Sequence, residues 1–465
     1  MYTSKKENSW RQHQSEFILQ RRKRYILRSS TRIAVLLSVA IALIIGGVYL
    51  FNISRPLTQR PPAIVPETGT GNPPQIRHLS TPDVKTLMRD VDFLNAGQER
   101  FFVDTPSESY AILTRLDPRL QASLTATLDR LKTLTRGKPQ RIAMVAMDSR
   151  TGFIRAMAGF DLGDPEANPC IASDYPAASI FKIVTASAAV DALDYTARTP
   201  MYFNGNKYTL YKRQLTDKRN KYTSRVSFAE AFADSINPVF GKIGQLYLGR
   251  ETLNTYAQRF GFNQDPDTDF DFNGGTFAVT ESDYHLAELG CGFNRETEIS
   301  PVFGAIMVSA ILNQGTALVP RMVDQVTNSD RELIYKSRKE VYKTPVSPES
   351  AQELISIMKK TISSGTARKS FRGFSRDKIL SGLVIGGKTG SLYNRERTVK
   401  YDWFTGFGKD KTDGNALAVS VVVGHRKYIG TRASTHAKNI LKTYFTPAPG
   451  KTASSQTPSK TGGNT

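Results

Sequence analysis

Apolar residues recur at helical spacing at Leu120, Leu124, Leu128 and Leu131, directly after Asp117-Pro118, and predict an amphipathic helix with an acidic cap and proline in its first turn. Gly137 is its expected end. Two apolar runs follow, Arg141 to Met147 and Phe153 to Ala158, joined by Asp148-Ser149-Arg150-Thr151-Gly152, a strand hairpin pattern. The alanine-rich run Ala178 to Leu193 predicts a helix. Further helices are predicted from Ser227 to Asp234, from Glu251 to Phe260 with Gly261 closing it, and from Ser300-Pro301 through Leu312. The first of these stops at Ser235-Ile236-Asn237-Pro238, because the residue before a proline disfavours helical backbone. After Ser347-Pro348, Leu354, Ile355, Met358 and Ile362 give one more helix a core face. Strands are predicted at Ala317 to Val326, Glu332 to Val341, Leu383 to Ser391, Asp402 to Phe407 and Ala416 to Val423. The last three come in the strand, turn, strand order of an antiparallel sheet, with a terminal helix over Ala437 to Phe445 packed on it.

The first part of the chain is patterned differently. Ile33 to Ser54 carries no charge and matches the ~20 apolar residues that span a bilayer. Residues 1–32 hold nine Lys and Arg against Glu7 and Glu16, a net +7, whereas only Arg55 and Arg60 follow closely. That asymmetry predicts a basic cytoplasmic tail (1–32), a transmembrane anchor (33–54), and everything beyond Ser54 outside the cytoplasmic membrane. The expected location is the inner membrane, single-pass, with a periplasmic or extracellular C-terminal domain. Residues 55–79, with Arg60-Pro61-Pro62 and Gly69-Thr70-Gly71-Asn72-Pro73-Pro74, read as a semi-stiff tether. Residues 80–112 read as a short region with a helix and a strand. The Ser-, Thr-, Pro- and Gly-rich residues 446–465 read as a disordered tail.

Charge and cysteine usage narrow the partners. A formal net charge of +21 suits an anionic partner, and the outside location removes nucleic acid and leaves envelope polymer or lipid head groups. Between Tyr202 and Arg225 a basic, tyrosine-rich segment holds Lys207, Lys212, Arg213, Lys218, Arg219 and Lys221. It reads either as a solvated hairpin or as a patch that grips an anionic substrate or lipid. Two cysteines, Cys170 and Cys291, exclude a disulfide scaffold and a CxxC motif, and leave open whether they bridge each other. The five histidines show no paired-ligand spacing, so neither a metal nor a cofactor is expected.

Nucleophile chemistry enters with Ser179 and Lys182, three residues apart at the head of the Ala178 to Leu193 run. On a helix the two side chains share a face. A buried lysine with a lowered pKa is one of the few groups able to take a proton from a serine hydroxyl. The spacing alone is cheap, since Ser356 with Lys359 and Ser375 with Lys378 repeat it. Ser356 falls on the solvent side of an amphipathic helix, and Ser375 lies in a polar turn with no apolar helix behind it.

The order Ser179-x-x-Lys182, Ser235-x-Asn237 and Lys388-Thr389-Gly390 resembles the serine acyl-transferases that react with penicillin, the penicillin-binding proteins and serine β-lactamases. Leu116-Asp117-Pro118-Arg119-Leu120-Gln121, Ser364-Gly365-Thr366-Ala367 and Asp402-Trp403-Phe404-Thr405-Gly406-Phe407 are similar to stretches of penicillin-binding transpeptidase domains. The resemblance implies such a domain over 113–445, without a glycosyltransferase domain or a large pedestal before it. The implied fold is α/β (α+β): an antiparallel sheet flanked by helices plus a mainly helical subdomain, behind one N-terminal transmembrane helix. The implied activity is that of a peptidoglycan D,D-transpeptidase acting through a serine acyl-enzyme on D-Ala-D-Ala stem peptides.

In that scheme Ser179 is the nucleophile, Lys182 its proton acceptor and Ser235 the proton relay. Asn237 orients the substrate amide and Lys182, while Lys388, Thr389, Gly390 and Ser391 bind substrate, with the Ser179 and Ser391 N–H groups as the oxyanion hole. Implied partners are stem peptides, β-lactams, the membrane, and a glycosyltransferase or other wall-synthesis proteins. Alternatives within the resemblance are a D,D-carboxypeptidase or endopeptidase, a class D-like β-lactamase or sensor, and an inactive envelope scaffold. The chain departs from the family's Gly-Gln-Gly-like loop, reading Gly290-Cys291-Gly292-Phe293-Asn294 there.

Overall fold

A computed structural model describes residues 78–280 and 282–447. The basic tail, the anchor, nearly all of the tether and the C-terminal tail expected from the sequence lie outside the described residues. Among the described residues no helix is long and apolar enough to cross a membrane.

A five-stranded antiparallel sheet organises the molecule, in the order Leu383–Tyr393, Lys400–Asp410, Ala416–His425, Arg141–Asp148, Ile154–Asp161. Its inner strands read as unbroken apolar runs because both faces are covered. On one face Ile142, Met144 and Ala146 join Val419, Val421 and Val423 under the helices Pro118–Lys132 and Ala433–Phe445. On the other, Ala143, Val145 and Met147 join Trp403 and Val422 against the fully buried helix Pro301–Leu312. Gly304 lets that helix lie close, since a Cβ there would come within 2.5 Å of the Ser420 hydroxyl. The predicted stripe Leu120, Leu124, Leu128 and Leu131 is buried, stabilising by about 2 kcal/mol per side chain.

Helices gather beyond the buried helix: Lys182–Leu193, Phe228–Ala233, Asn237–Lys242, Gly249–Phe260, Asp283–Cys291 and Pro348–Ser363. Their starts follow local chemistry. Asp117, Ser227, Ser300 and Ser347 each accept a backbone N–H of the helix they open. The mixed α/β architecture expected from the sequence, an antiparallel sheet with flanking helices and a helical part, is thus what the chain forms.

Several boundaries differ. The helix after Asp117 is capped at Thr133, so Gly137, at φ +76°, turns the loop beyond it instead of ending the helix. Residues 80–112 are not a separate stretch. Hairpin strands Arg100–Asp104 and Ser109–Thr114 pair with Val323–Thr327 and, through it, Leu333–Lys336, so a boundary at 113 would cut a paired strand. The runs 317–326 and 332–341 break into four short strands shared between two sheets. The terminal helix starts four residues early, at Ala433, because Asp402 Oδ2 from the sheet accepts the Ala433 N–H at 2.9 Å. Cys170 and Cys291 are both buried free thiols, so no bridge joins them.

Candidate active site

Ser179 lies in a single 3-10 turn, Ala178–Phe181, that runs straight into the helix Lys182–Leu193. Three residues per turn eclipse positions i and i+3, so the tighter turn sets Lys182 directly over Ser179. The turn is pinned from several sides. The Ala177 N–H bonds Thr297 O at 2.8 Å, and Trp403 Nε1 donates to Pro176 O at 3.1 Å. Ala178 sits at φ +47°, a left-handed conformation that costs a residue with a side chain about 1 kcal/mol. Such strain persists only where the surroundings over-determine it.

Lys182 is fully buried, and its Nζ reaches three acceptors: Ser179 Oγ at 2.8 Å, Asn237 Oδ1 at 2.9 Å and the Cys291 carbonyl at 2.5 Å. Burial lowers its pKa to about 8. The three partners are not equivalent. Asn237 Oδ1 and Cys291 O can only accept, so they hold two N–H groups of a neutral amine and turn its lone pair toward Ser179, the one partner that carries a proton. The same geometry holds for the protonated amine, with Ser179 Oγ as third acceptor. The pair can therefore exchange a proton without rearranging.

Asn237 opens the helix Asn237–Lys242, after Ser235 at φ +57°. Its Nδ2 donates to Tyr208 O at 3.0 Å and its backbone N–H to Lys207 O at 2.8 Å, which fixes Oδ1 toward Lys182. Ser235 lines the same cleft as Ser179, and no direct bond joins it to Ser179 or Lys182 among the described residues. The cleft, about 560 Å³, is walled opposite by Thr389, Gly390 and Ser391 on the edge strand of the sheet. Gly390 allows the strand to press on the serine turn: a Cβ there would stand 3.2 Å from Ile180 Cγ1 and 3.3 Å from Ile180 N.

Of the residues expected to bind substrate, Lys388 is placed differently. It is fully buried beneath the cleft, outside the lining, with Nζ donating to Thr389 O at 2.8 Å and 5.5 Å from the Phe232 ring centre. Burial, with the Lys182 charge second and Asp234 opposing, holds its amine well below the usual lysine range. Thr389 and Gly390 are the members of the motif that line the cleft, and the Thr389 hydroxyl meets that of Thr366 at 2.6 Å.

Residues that motif reading did not assign complete the site. The Cys291 carbonyl has no side-chain signature at all. Gly292, at φ +67°, follows it, and a Cβ there would fall 1.9 Å from Ala178 O, so only glycine lets this loop seat against the serine turn. Thr185 Oγ1 holds the preceding Gly290 carbonyl at 2.8 Å. The departure from the Gly-Gln-Gly-like pattern thus carries a lysine anchor. Thr366 stands in a stretch already read as similar to the family, and its hydroxyl also donates to Ala233 O at 3.1 Å. Tyr208, Phe293, Lys369 and Arg432 line the cleft without any motif to mark them. The two rival pairs are not sites: Ser356 and Lys359, like Ser375 and Lys378, are solvent-exposed.

A serine beneath a buried amine, an asparagine bridging that amine to the wall, and a glycine-bearing edge strand opposite define a serine acyl-transferase site of the penicillin-reactive class. The sequence profile described as the penicillin binding protein transpeptidase domain matches residues 142–444, and the chain belongs to that family. It is similar to a peptidoglycan D,D-transpeptidase, PbpA, of Mycolicibacterium smegmatis, 26% identical with 71% of this chain and 72% of the relative covered. Among solved structures it resembles a D,D-transpeptidase domain of a peptidoglycan glycosyltransferase from Eggerthella lenta (TM-score 0.59, 21% identity, 78% and 86% covered). It also resembles penicillin-binding protein A of Mycobacterium tuberculosis in an imipenem acyl-enzyme complex (TM-score 0.58, 22% identity, 72% and 79% covered).

Proposed function

We propose that this protein is a peptidoglycan D,D-transpeptidase that forms an acyl-enzyme on Ser179. The observation that carries the reading is the buried Lys182 amine bonded at once to Ser179 Oγ, Asn237 Oδ1 and Cys291 O. Neutral Lys182 takes the Ser179 proton as Oγ attacks the carbonyl between the two D-alanines of a stem peptide. The developing oxyanion is met by the Ser179 and Ser391 N–H groups, an effect worth about 3 to 4 kcal/mol per donor. Ser235, on the same cleft, passes the proton to the departing D-alanine amine. Thr389 and Thr366 hold the terminal carboxylate, and the Lys388 amine below them supplies positive potential when that carboxylate arrives. An amine of a second strand then attacks the ester, releasing Ser179 and leaving a new amide bond. The names of the M. smegmatis and M. tuberculosis relatives support this reading.

The proposal includes an address. The net +7 of residues 1–32 and the uncharged run 33–54 support a single-pass inner-membrane protein whose catalytic domain works outside the cytoplasm, tethered within reach of the wall. The test is labelling of the full chain with fluorescent penicillin, followed by mass spectrometry of the modified peptide. The label is expected on Ser179. In a second assay, a D-Ala-D-Ala donor with an added amine acceptor is expected to give the transfer product. Release of D-alanine without transfer would replace transpeptidation by carboxypeptidation.

A further inference from the structure

The basic, tyrosine-rich segment noted in the sequence is a built surface. Strands Pro200–Phe203 and Ser224–Ser227 pair at its base, and the residues between them form a long excursion, not a simple hairpin. Gln214 is buried at its centre: Oε1 accepts from Thr209 Oγ1 and the Tyr211 N–H, and Nε2 donates to Asn204 O and Asn206 O. Leu210 and Leu215 are buried against Gly241, where a Cβ would come within 2.7 Å of Leu210. The only carboxylate in 204–223, Asp217, is 54% exposed but engaged, receiving Lys242 Nζ at 3.0 Å and Tyr247 Oη at 2.6 Å. A loop tied down at this many points is preorganised.

What it presents outward is predominantly cationic, five exposed Lys and Arg against Asp217. Lys212, Arg213, Lys218, Arg219 and Lys221 are exposed and form no ion pair among the described residues. Lys207 alone of the segment's cations meets a carboxylate, Asp234 at 3.0 Å. Tyr211 and Tyr222 are 53% and 76% exposed between these charges. Asn204, Asn206, Tyr211, Arg213, Lys218 and Asn220 line a concavity of about 480 Å³. The apolar anchors of the segment, Leu210 and Leu215, face inward, so nothing aliphatic is offered to lipid chains. Cations, carboxamides and amphipathic rings around a polar hollow match a polyhydroxylated, carboxylate-bearing polymer. The excursion is also joined to the catalytic cleft, because its Lys207 and Tyr208 carbonyls hold Asn237.

We propose that the 204–223 excursion is a docking site for the glycan strand of the wall, an amino-sugar polymer bearing peptide carboxylates. It seats the strand beside the cleft that its stem peptide enters. The inference rests on the acyl-transfer reading for its choice of polymer. The test uses the full chain in detergent and purified insoluble peptidoglycan, sedimented together over a range of salt. Wild type is expected to co-sediment and to be released by salt. Arg213→Glu with Lys218→Glu is expected to weaken this by about tenfold or more, and the milder Arg213→Gln with Lys218→Gln by less. Both variants should react with fluorescent penicillin within twofold of wild type, which also shows that they are folded. Unchanged sedimentation of the charge-reversed variant would overturn the proposal. So would charge-dependent binding to vesicles of anionic phospholipid in place of peptidoglycan. Failure of wild type to take penicillin would instead remove the acyl-transfer reading, while the sedimentation result would still decide the groove.

Discussion

Ser179 with Lys182 and Ser356 with Lys359 share one spacing and differ in everything around it. The first pair spans a 3-10 turn and the start of the helix after it, under a loop, an asparagine and an edge strand, with its lysine fully buried. The second lies on the outer face of the helix Pro348–Ser363, whose Leu354, Met358 and Ile362 form the buried face. Lys359 and Ser356 both face solvent, with no hydrogen bond between them among the described residues. Burial lowers the Lys182 pKa to about 8, and the two carbonyl-type acceptors aim what remains. Spacing proposes a pair; desolvation and a fixed third and fourth partner make it reactive.

The sharpest way to break this contrast is to remove each hydroxyl in turn. Ser179→Ala is expected to lower penicillin acylation by on the order of 10⁴-fold or more, whereas Ser356→Ala should label like wild type. Loss of label in Ser356→Ala, with the melting transition unchanged, would reverse the assignment.

Glycine gives a second matched pair. Gly292 and Gly373 both have positive φ, +67° and +81°, but a Cβ at Gly292 meets Ala178 O, while at Gly373 nothing lies within 4 Å. Gly292→Ala must displace the loop that carries the Cys291 carbonyl, and a shift of about 1 Å there is expected to slow acylation about a hundredfold. Gly373→Ala bears only backbone strain, about 1 kcal/mol in a denaturant titration, with acylation unchanged. Equal acylation rates for the two would detach the 290–292 loop from the chemistry.

These pairs also show which parts of the molecule local sequence could reveal. Helix starts were legible because Asp117, Ser227, Ser300 and Ser347 cap within three residues of themselves. The three motifs were legible because side-chain identity at fixed spacing is what a sequence records. The Cys291 carbonyl was not, since every residue has one and only the fold aims it. The early start of the last helix at Ala433 depends on Asp402, thirty-one positions away, and the pairing of Ser109–Thr114 with Val323–Thr327 spans still more chain. The depth of Lys388 was hidden for a related reason. An edge strand alternates its side chains between the two faces of the sheet, and which face meets the cleft depends on the elements packed there.

Asn237→Ala sharpens the contrast at a smaller scale. It leaves one N–H of a buried amine without its acceptor and frees the lone pair to point elsewhere. Acylation is expected to fall about tenfold, with the cost of an unsatisfied buried donor. Asn237→Asp would instead place a carboxylate on the amine, raise the Lys182 pKa and move the acylation profile to higher pH. A variant whose rate fell while its profile stayed in place would assign Asn237 to the substrate alone.

The smallest effect is the one that tests the protonation argument directly. With the Lys182 pKa near 8, the neutral fraction and hence the acylation rate should fall about fivefold between pH 8 and pH 7 and level off above pH 9. Stability should carry the same signature. The folded amine releases its proton at about 8 and the unfolded one at 10.5, so between those values the unfolded chain binds the extra proton and stability rises with pH. Two buried thiols act in the opposite sense. Burial pushes Cys170 up to about 12 and Cys291 up to about 11 from 9.0, so above pH 9 the folded chain retains protons that the unfolded chain loses. Buried Lys388, also held below the usual lysine range, acts in the same sense as Lys182, so the net profile of the wild type does not isolate Lys182. Subtracting the profile of Lys182→Met removes the thiols and Lys388, and the difference should climb from pH 8 to 10.5. A flat difference would mean that burial does not set the proton affinity of Lys182, and desolvation would no longer be what makes its pairing with Ser179 reactive.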